Sequence, residues 1–396
     1  MRFISAEHIR ARWLTLVFLI TVGGYAVSFW WSPPIMLDLH VYAEAVRALA
    51  TSDRLYLDSY AGMRFVYPPF AAILMTTMTA VPPAALPALM TALSVAALGA
   101  ALWCALRLVR RTRPALVLGL CGLALWLEPV RTNLDFGQVN IFVMFLVLLD
   151  FSLRADNRLK GVALGLAVAV KLTPAIFVVY LLLTKRYRVA AVAGLTVLGT
   201  ISLSFLVLPV QSARFWGGAG FDASRMGGYL DFYGNQSLGQ LIGGTSLVTA
   251  VVGVAGLLAA RRVWQRFGEL PGVLMCALTG LLVSPVSWHH HWVWVAPALV
   301  LLLDASVPLV AAFVALFACL PGPSDLPHLR LGLLHWSYAG ADSPWPLGAL
   351  QFLTHNLYVL AGLAVLVWTL IHTRGGTNIP GTFVAAERSS IHSVRS

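Results

Sequence analysis

The sequence predicts an all-α polytopic membrane protein with about 12 transmembrane helices and no soluble domain. Three observations carry that prediction. Some 59% of the 396 residues are hydrophobic, only 11% are charged, and long apolar runs recur along the chain. A soluble domain carries about 25% charged residues, so this chain lacks the charge to cover a water-facing surface. A net charge of +11 on such a composition points to membrane topology. It excludes a soluble enzyme, a disordered tail and a nucleic-acid binder.

The runs fall near residues 13–31, 84–109, 115–128, 138–153, 161–171, 173–184, 189–209, 246–260, 271–284, 292–304, 306–320 and 351–372. The first follows Arg2, Arg10 and Arg12 without a small-residue cleavage site, so it reads as a retained signal anchor. Several runs are shorter than the roughly 20 residues a bilayer demands, which suits helices that line a cavity. Cys104, Cys121, Cys276 and Cys319 lie inside apolar runs at unrelated spacings and read as small buried hydrophobes.

Phe65–Pro82 is apolar enough to count as a further span, and the positive-inside rule decides against it. With 66–81 kept on the outer side and a hairpin at Lys171, nineteen of the 27 basic residues fall on the cytoplasmic side. Making 66–81 a full crossing and 161–183 one helix removes the bias. The first arrangement places both termini inside. It leaves outer segments 32–83, 210–245 and 321–350, one membrane domain over 1–372, and a polar, disordered cytoplasmic tail over 373–396.

Chemistry is therefore sought on the outer side. Asp38 follows the first span, with His40 and Tyr42 at i+2 and i+4 on a half-apolar helical stretch along the membrane surface. An Asp there caps the helix or serves as a base, and the spacing leaves both open. Arg64–Phe70 pairs an extended double-proline entry with interfacial aromatics, Tyr67 among them, and reads first as an anchoring belt. The stretch EPVRTNLDFGQVN (128–140) is dense in polar groups and holds Arg131. Gln138 and Asn140 then open an apolar helix, where buried amides need partners or a polar ligand.

Lys171 interrupts an apolar run just before Pro174. An ionisable group at membrane depth costs at least ~2.5 kcal/mol and is a functional candidate, with snorkelling as the alternative. His289, His290 and His291 stand between tryptophans at a spacing that does not suit zinc. They read as hydrogen-bond donors to a sugar or phosphate, and no metal ligand set is apparent. Gly-rich, aromatic sequence around Asn235–Ser237 reads as a loop able to close over a substrate.

Six stretches in order resemble glycosyltransferase family 87 of the GT-C membrane glycosyltransferases. They are the Asp38 loop ending in Asp53-Arg54-Leu55-Tyr56, YPPF, EPVRTNLDFGQVN, AVKLTP, GNQSL and SPVSWHHHWVW. The resemblance implies a GT-C fold with amphipathic helices in the first outer loop, set in the plasma membrane with the active site facing outward. It implies a polyprenyl-phosphate-mannose donor and a glycolipid acceptor, a phosphatidylinositol mannoside or lipomannan, joined by an α-(1→2) linkage with inversion. Asp38 corresponds to the family's first-loop acid, the general base. Lys171, Arg131 and the histidines, His290 and His289 foremost, are implied for the leaving phosphate. Gln138, Asn140, Tyr67 and His40 are implied for the substrate. Neither cofactor nor nucleic acid is expected, and the chain is expected to act as a monomer. Another polyprenyl-phosphate sugar, arabinose or glucose, remains open, as does a lipid-linked-sugar flippase.

Overall fold

In a computed structural model of the chain, residues 6–31, 33–222, 224–225, 234–244, 246–319 and 348–373 are described. Most of segment 321–350 and the tail beyond residue 373 lie outside them. The fold is almost entirely helical. The one sheet among the described residues is a hairpin, β1 (Ser59–Tyr60) against β2 (Met63–Arg64), with Ser59 opposite Arg64.

Three helices are long and apolar enough to cross a membrane unaided: α4 (Leu86–Leu108), α10 (Tyr187–Val207) and α13 (Leu247–Phe267), of 23, 21 and 21 residues. At 1.5 Å per residue each is about 30 Å long, the thickness of the hydrocarbon layer. Leu206 is 82% exposed and Leu247 79% exposed. Such faces have no place in water, and they mark the surface turned to lipid. The remaining apolar helices are shorter. They include α5 (Pro114–Ala124), α14 (Glu269–Val283), α16 (Val307–Phe317), and α18 (Leu357–His372) after α17 (Gly348–His355); α1 (Ala6–Trp31) is longer, with its shorter apolar stretch over 12–28.

One sequence reading is corrected here and one open alternative is closed. Run 292–304 is no continuous α-helix: a 3-10 turn over His289–Trp294 leads into the four-residue α15 (Val295–Ala298) and a second 3-10 turn over Leu301–Asp304. Asp38 is no helix cap either. The cap of α2 (Leu37–Ala48) is Met36, in the left-handed region at φ 49, and Asp38 stands in the first turn. Segment 65–82 forms only α3 (Pro69–Met75) and a 3-10 turn over Thr76–Ala80, too short to cross.

The polar stretch 128–136 folds as α6 (Glu128–Phe136), which is buried almost throughout and meets α7 (Asn140–Ser152) at a bend of 119°. Gly137 makes that bend at φ 65, and a Cβ there would come within 2.7 Å of Leu39 Cβ. Only glycine fits both demands. Just beyond it, Gln138 is thereby set beside α2, whose entry is tied down by Met36 N–H donating to the Asp135 carbonyl at 2.8 Å.

A second interruption separates α8 (Val162–Val170) from α9 (Ala175–Leu183). Lys171 is extended there, at φ −149, and Pro174 forbids continuation. The core is correspondingly double. One hydrophobic cluster fills the helix bundle, and a smaller, aromatic one joins α2, the hairpin region and α3 through Tyr42, Tyr56, Phe65, Tyr67 and Phe215. All four cysteines are buried.

Candidate active site

A cavity of about 320 Å3 opens between the two cores, walled by Asp38, Tyr67, Gln138, Lys171, Trp288 and His291. Each wall has its own origin. Asp38 comes from α2, Tyr67 from the strand-like approach to α3, Gln138 from the α6–α7 bend, Lys171 from the α8–α9 break, and the last two from the histidine turn. Arg64 and Asp222 stand at its lining on the hairpin and on the loop 219–222. A narrower apolar slot of about 50 Å3 shares Thr173, Ser284 and His291 with the cavity.

Lys171 donates from Nζ to Asn140 Oδ1 at 2.6 Å, and its Nζ lies 3.0 Å from His291 Nε2. An ammonium has only protons to give, so Nε2 is the acceptor and the His291 ring proton sits on Nδ1. A backbone hydrogen bond to Val286 receives it. Asn140 is fixed in turn by its Nδ2 donating to the His290 carbonyl at 3.2 Å. The lysine is thus held by an amide and a neutral imidazole.

Asp38 is half-buried in the cavity wall. Burial pushes its carboxyl up to about 7, against the opposing pull of the Lys171 ammonium and the Gln138 side chain. A carboxylic acid tuned to that range both takes and returns a proton near neutrality. Tyr67 extends the wall, with the Lys171 ammonium 5.7 Å from its ring centroid.

Other sequence candidates are elsewhere. His40 is exposed on α2 and does not line the cavity, because residues two apart on a helix face nearly opposite ways. Arg131 is 4% exposed. It pairs with Asp135 at 3.2 Å, donates to Ser28 Oγ at 2.8 Å and lies 4.5 Å from the Tyr25 ring centroid. It pins α6 to α1 and is not at the cavity. The histidine preference is also corrected. His289 turns its Nε2 to the Glu128 carboxylate at 3.6 Å, and His290 is buried edge-on against Phe136 with ring centroids 5.3 Å apart. Of the three, His291 lines the cavity.

Arg131→Met should break the buried Arg131–Asp135 ion pair and cost about 3–5 kcal/mol, read as a lowered melting temperature of the purified protein.

Sequence reasoning passed over Arg64, Asp222, Thr173 and Ser284 as wall residues, and nothing in local spacing flags them. Tyr42 was recoverable from its i+4 spacing to Asp38, which puts both on one helix face.

The Glycosyltransferase family 87 model matches residues 65–285. A polyprenol-phosphate-mannose-dependent alpha-(1-2)-phosphatidylinositol pentamannoside mannosyltransferase of Mycolicibacterium smegmatis is 30% identical over 86% of this chain and 86% of its own. The protein of that name from Mycobacterium tuberculosis is 32% identical over 76% of this chain and 73% of its own. A polyprenol-phosphate-mannose-dependent alpha-(1-2)-phosphatidylinositol mannoside mannosyltransferase of M. tuberculosis is 30% identical over 74% and 76%. Among solved structures, ArnT from Cupriavidus metallidurans bound to undecaprenyl phosphate aligns with a TM-score of 0.46 at 17% identity, covering 91% of this chain and 77% of that one.

Proposed function

This chain belongs to glycosyltransferase family 87, and from that membership we propose that it transfers mannose from polyprenyl-phosphate-mannose to a lipid-anchored phosphatidylinositol mannoside, forming an α-(1→2) linkage. The single observation that carries the reading is the juxtaposition of Asp38 and Lys171 in one cavity at the edge of an apolar bundle. The relatives' donor and acceptor fit it, since an acidic group and a cation are what transfer from a sugar phosphate requires.

In this reading Asp38 takes the proton of the acceptor hydroxyl as its oxygen attacks the anomeric carbon. A β-linked donor then gives an α-mannoside by a single in-line displacement with inversion. The phosphate departs as an anion and needs positive charge more than a proton, which Lys171 supplies. Gln138, Tyr67, His291 and, through Lys171, Asn140 orient the reactants. The proposed frame is a GT-C fold over 1–372 with about 12 crossings, both termini cytoplasmic and the cavity facing outward across the plasma membrane, acting as a monomer. The distribution of Lys and Arg favours that sidedness.

The test is a transfer assay with polyprenyl-phosphate-mannose and a phosphatidylinositol mannoside acceptor, beside the arabinose and glucose donors. Transfer from another sugar alone rejects the donor assignment, and movement of lipid-linked sugar across liposomes without a new glycosidic bond rejects transfer itself. Because Asp38 acts ionised and its carboxyl is pushed up to about 7, kcat/KM should rise through pH 7 and fall about tenfold per unit well below it. A profile flat down to pH 5 argues against Asp38 as the base.

His291→Ala should lower kcat/KM about 10- to 100-fold by removing one of the two groups that hold Lys171, whereas His290→Phe, away from the cavity, should leave turnover within a few-fold of wild type. Equal losses in both argue against a specific role for His291.

A further inference from the structure

Behind Asp38, two groups that face the reactants, Tyr67 and Gln138, meet a third, Tyr42, to which the reaction assigns no part. Tyr42 is fully buried and Tyr67 is 5% exposed. Their hydroxyls lie 2.7 Å apart, and Gln138 Oε1 is 3.1 Å from the first and 3.0 Å from the second. These three oxygens form a triangle that holds two protons, one on each tyrosine.

Counting those protons fixes the amide. If either tyrosine donates to the other, the recipient's own proton is left for Gln138 Oε1. If neither does, both go to it. In every arrangement Oε1 accepts, and the amide NH2 is the end left to face Asp38, where the Gln138 side chain hydrogen-bonds the carboxyl. Turning the amide over would leave one buried tyrosine proton without an acceptor in the triangle. It would also set an oxygen against the carboxylate. Both are unfavourable in an enclosed site.

We propose that Tyr42 is a positioning residue for Asp38: together with Tyr67 it locks the Gln138 amide so that its NH2 steadies the ionised carboxylate. This rests on the assignment of Asp38 as the base. Tyr42 does not line the cavity, so it touches neither substrate, and its effect must pass through Gln138.

The groups facing Asp38 are Lys171 from the α8–α9 break, Tyr67 from the approach to α3 and Tyr42 from its own helix. His291 lines the same cavity from the histidine turn, with Arg64 and Asp222 at the hairpin and the loop 219–222. A fixed N–H donor favours the charged carboxylate. Loosening that donor raises the pKa, so the acid limb of the pH–rate profile moves to higher pH.

The experiment compares full-length wild type, Tyr42→Phe, Gln138→Leu and the Tyr42→Phe/Gln138→Leu double variant in detergent, reading kcat/KM for mannose transfer against pH. Tyr42→Phe should move the acid limb up by about half a unit to one unit and leave donor KM unchanged. In the Gln138→Leu background it should move nothing further, because the amide it acts through is gone. A uniform drop in kcat with an unmoved limb overturns the proposal, as does a Tyr42→Phe shift that persists without Gln138. Should Tyr42→Phe fail to fold, Tyr67→Phe removes the other corner of the triangle and is judged by the same limb and the same double variant. Carbon-13 titration of the Asp38 carboxyl in wild type and Tyr42→Phe reads the effect without turnover. A wild type inactive with mannose donors therefore rejects the substrate assignment, and the titration still decides the role of Tyr42.

Discussion

The Asp38→Asn protein should fold, bind the polyprenyl-phosphate sugar with near wild-type affinity and lose transfer by about 10^2- to 10^4-fold, the contribution typical of a positioned general base. The substitution preserves shape, replacing one carboxyl oxygen by NH2, so the hydrophobic contacts of α2 are kept. Leu39, Tyr42 and Ala45 remain buried, and the Met36 N–H bond to the Asp135 carbonyl is untouched. What is lost is the ability to hold a proton taken from the acceptor. An amide also cannot answer the Lys171 ammonium as a carboxylate does, so the cavity gains a net positive charge. Donor binding should therefore survive or tighten while kcat collapses. Transfer rate and donor affinity measured separately distinguish this from misfolding, and turnover within a few-fold of wild type removes Asp38 from the chemistry.

Lys171→Met should have the second-largest effect, about 10^2- to 10^3-fold in kcat/KM, with two separable parts. Methionine keeps the apolar stem and removes the charge, so the break between α8 and α9, set by Pro174, should persist. The first part is loss of the cation proposed to meet the departing phosphate, read as weaker donor binding and slower turnover. The second follows from linkage between neighbouring charges. The ammonium now pulls the Asp38 carboxyl down against burial. Without it the carboxyl rises further above its ordinary range, and the acid limb of the profile moves to higher pH. A Lys171→Met protein with unchanged donor affinity and an unmoved limb would show that the lysine serves only to satisfy Asn140 and His291.

Some of this was legible from short-range pattern. Lys171 stood out because a charge in an apolar run has few benign explanations, and Gln138 and Asn140 because amides opening an apolar helix need partners. In the structure those needs are met: Asn140 accepts from Lys171, and Gln138 Oε1 accepts from the hydrogen-bonded pair of tyrosines. Arg131 looked equally suggestive, and local sequence could not show that Asp135, one turn further on, and Ser28, a hundred residues away, already engage it. The histidines failed for a related reason. Three adjacent residues in a 3-10 turn point in three directions. Which one faces the cavity depends on what packs behind the turn: Glu128 holds His289 and Phe136 covers His290.

The sequence by itself determined the class of the molecule, because a chain with 11% charged residues has one solvent available for most of its surface. It also marked the break between α8 and α9, since Pro174 acts through backbone geometry within a residue or two. Only the tertiary structure decided which polar groups share a cavity. Asp38 stands on α2 and Lys171 at the break between α8 and α9, and the distance between two such groups depends on how those elements dock. That docking rests on side-chain packing across more than a hundred residues of chain, which no local periodicity records.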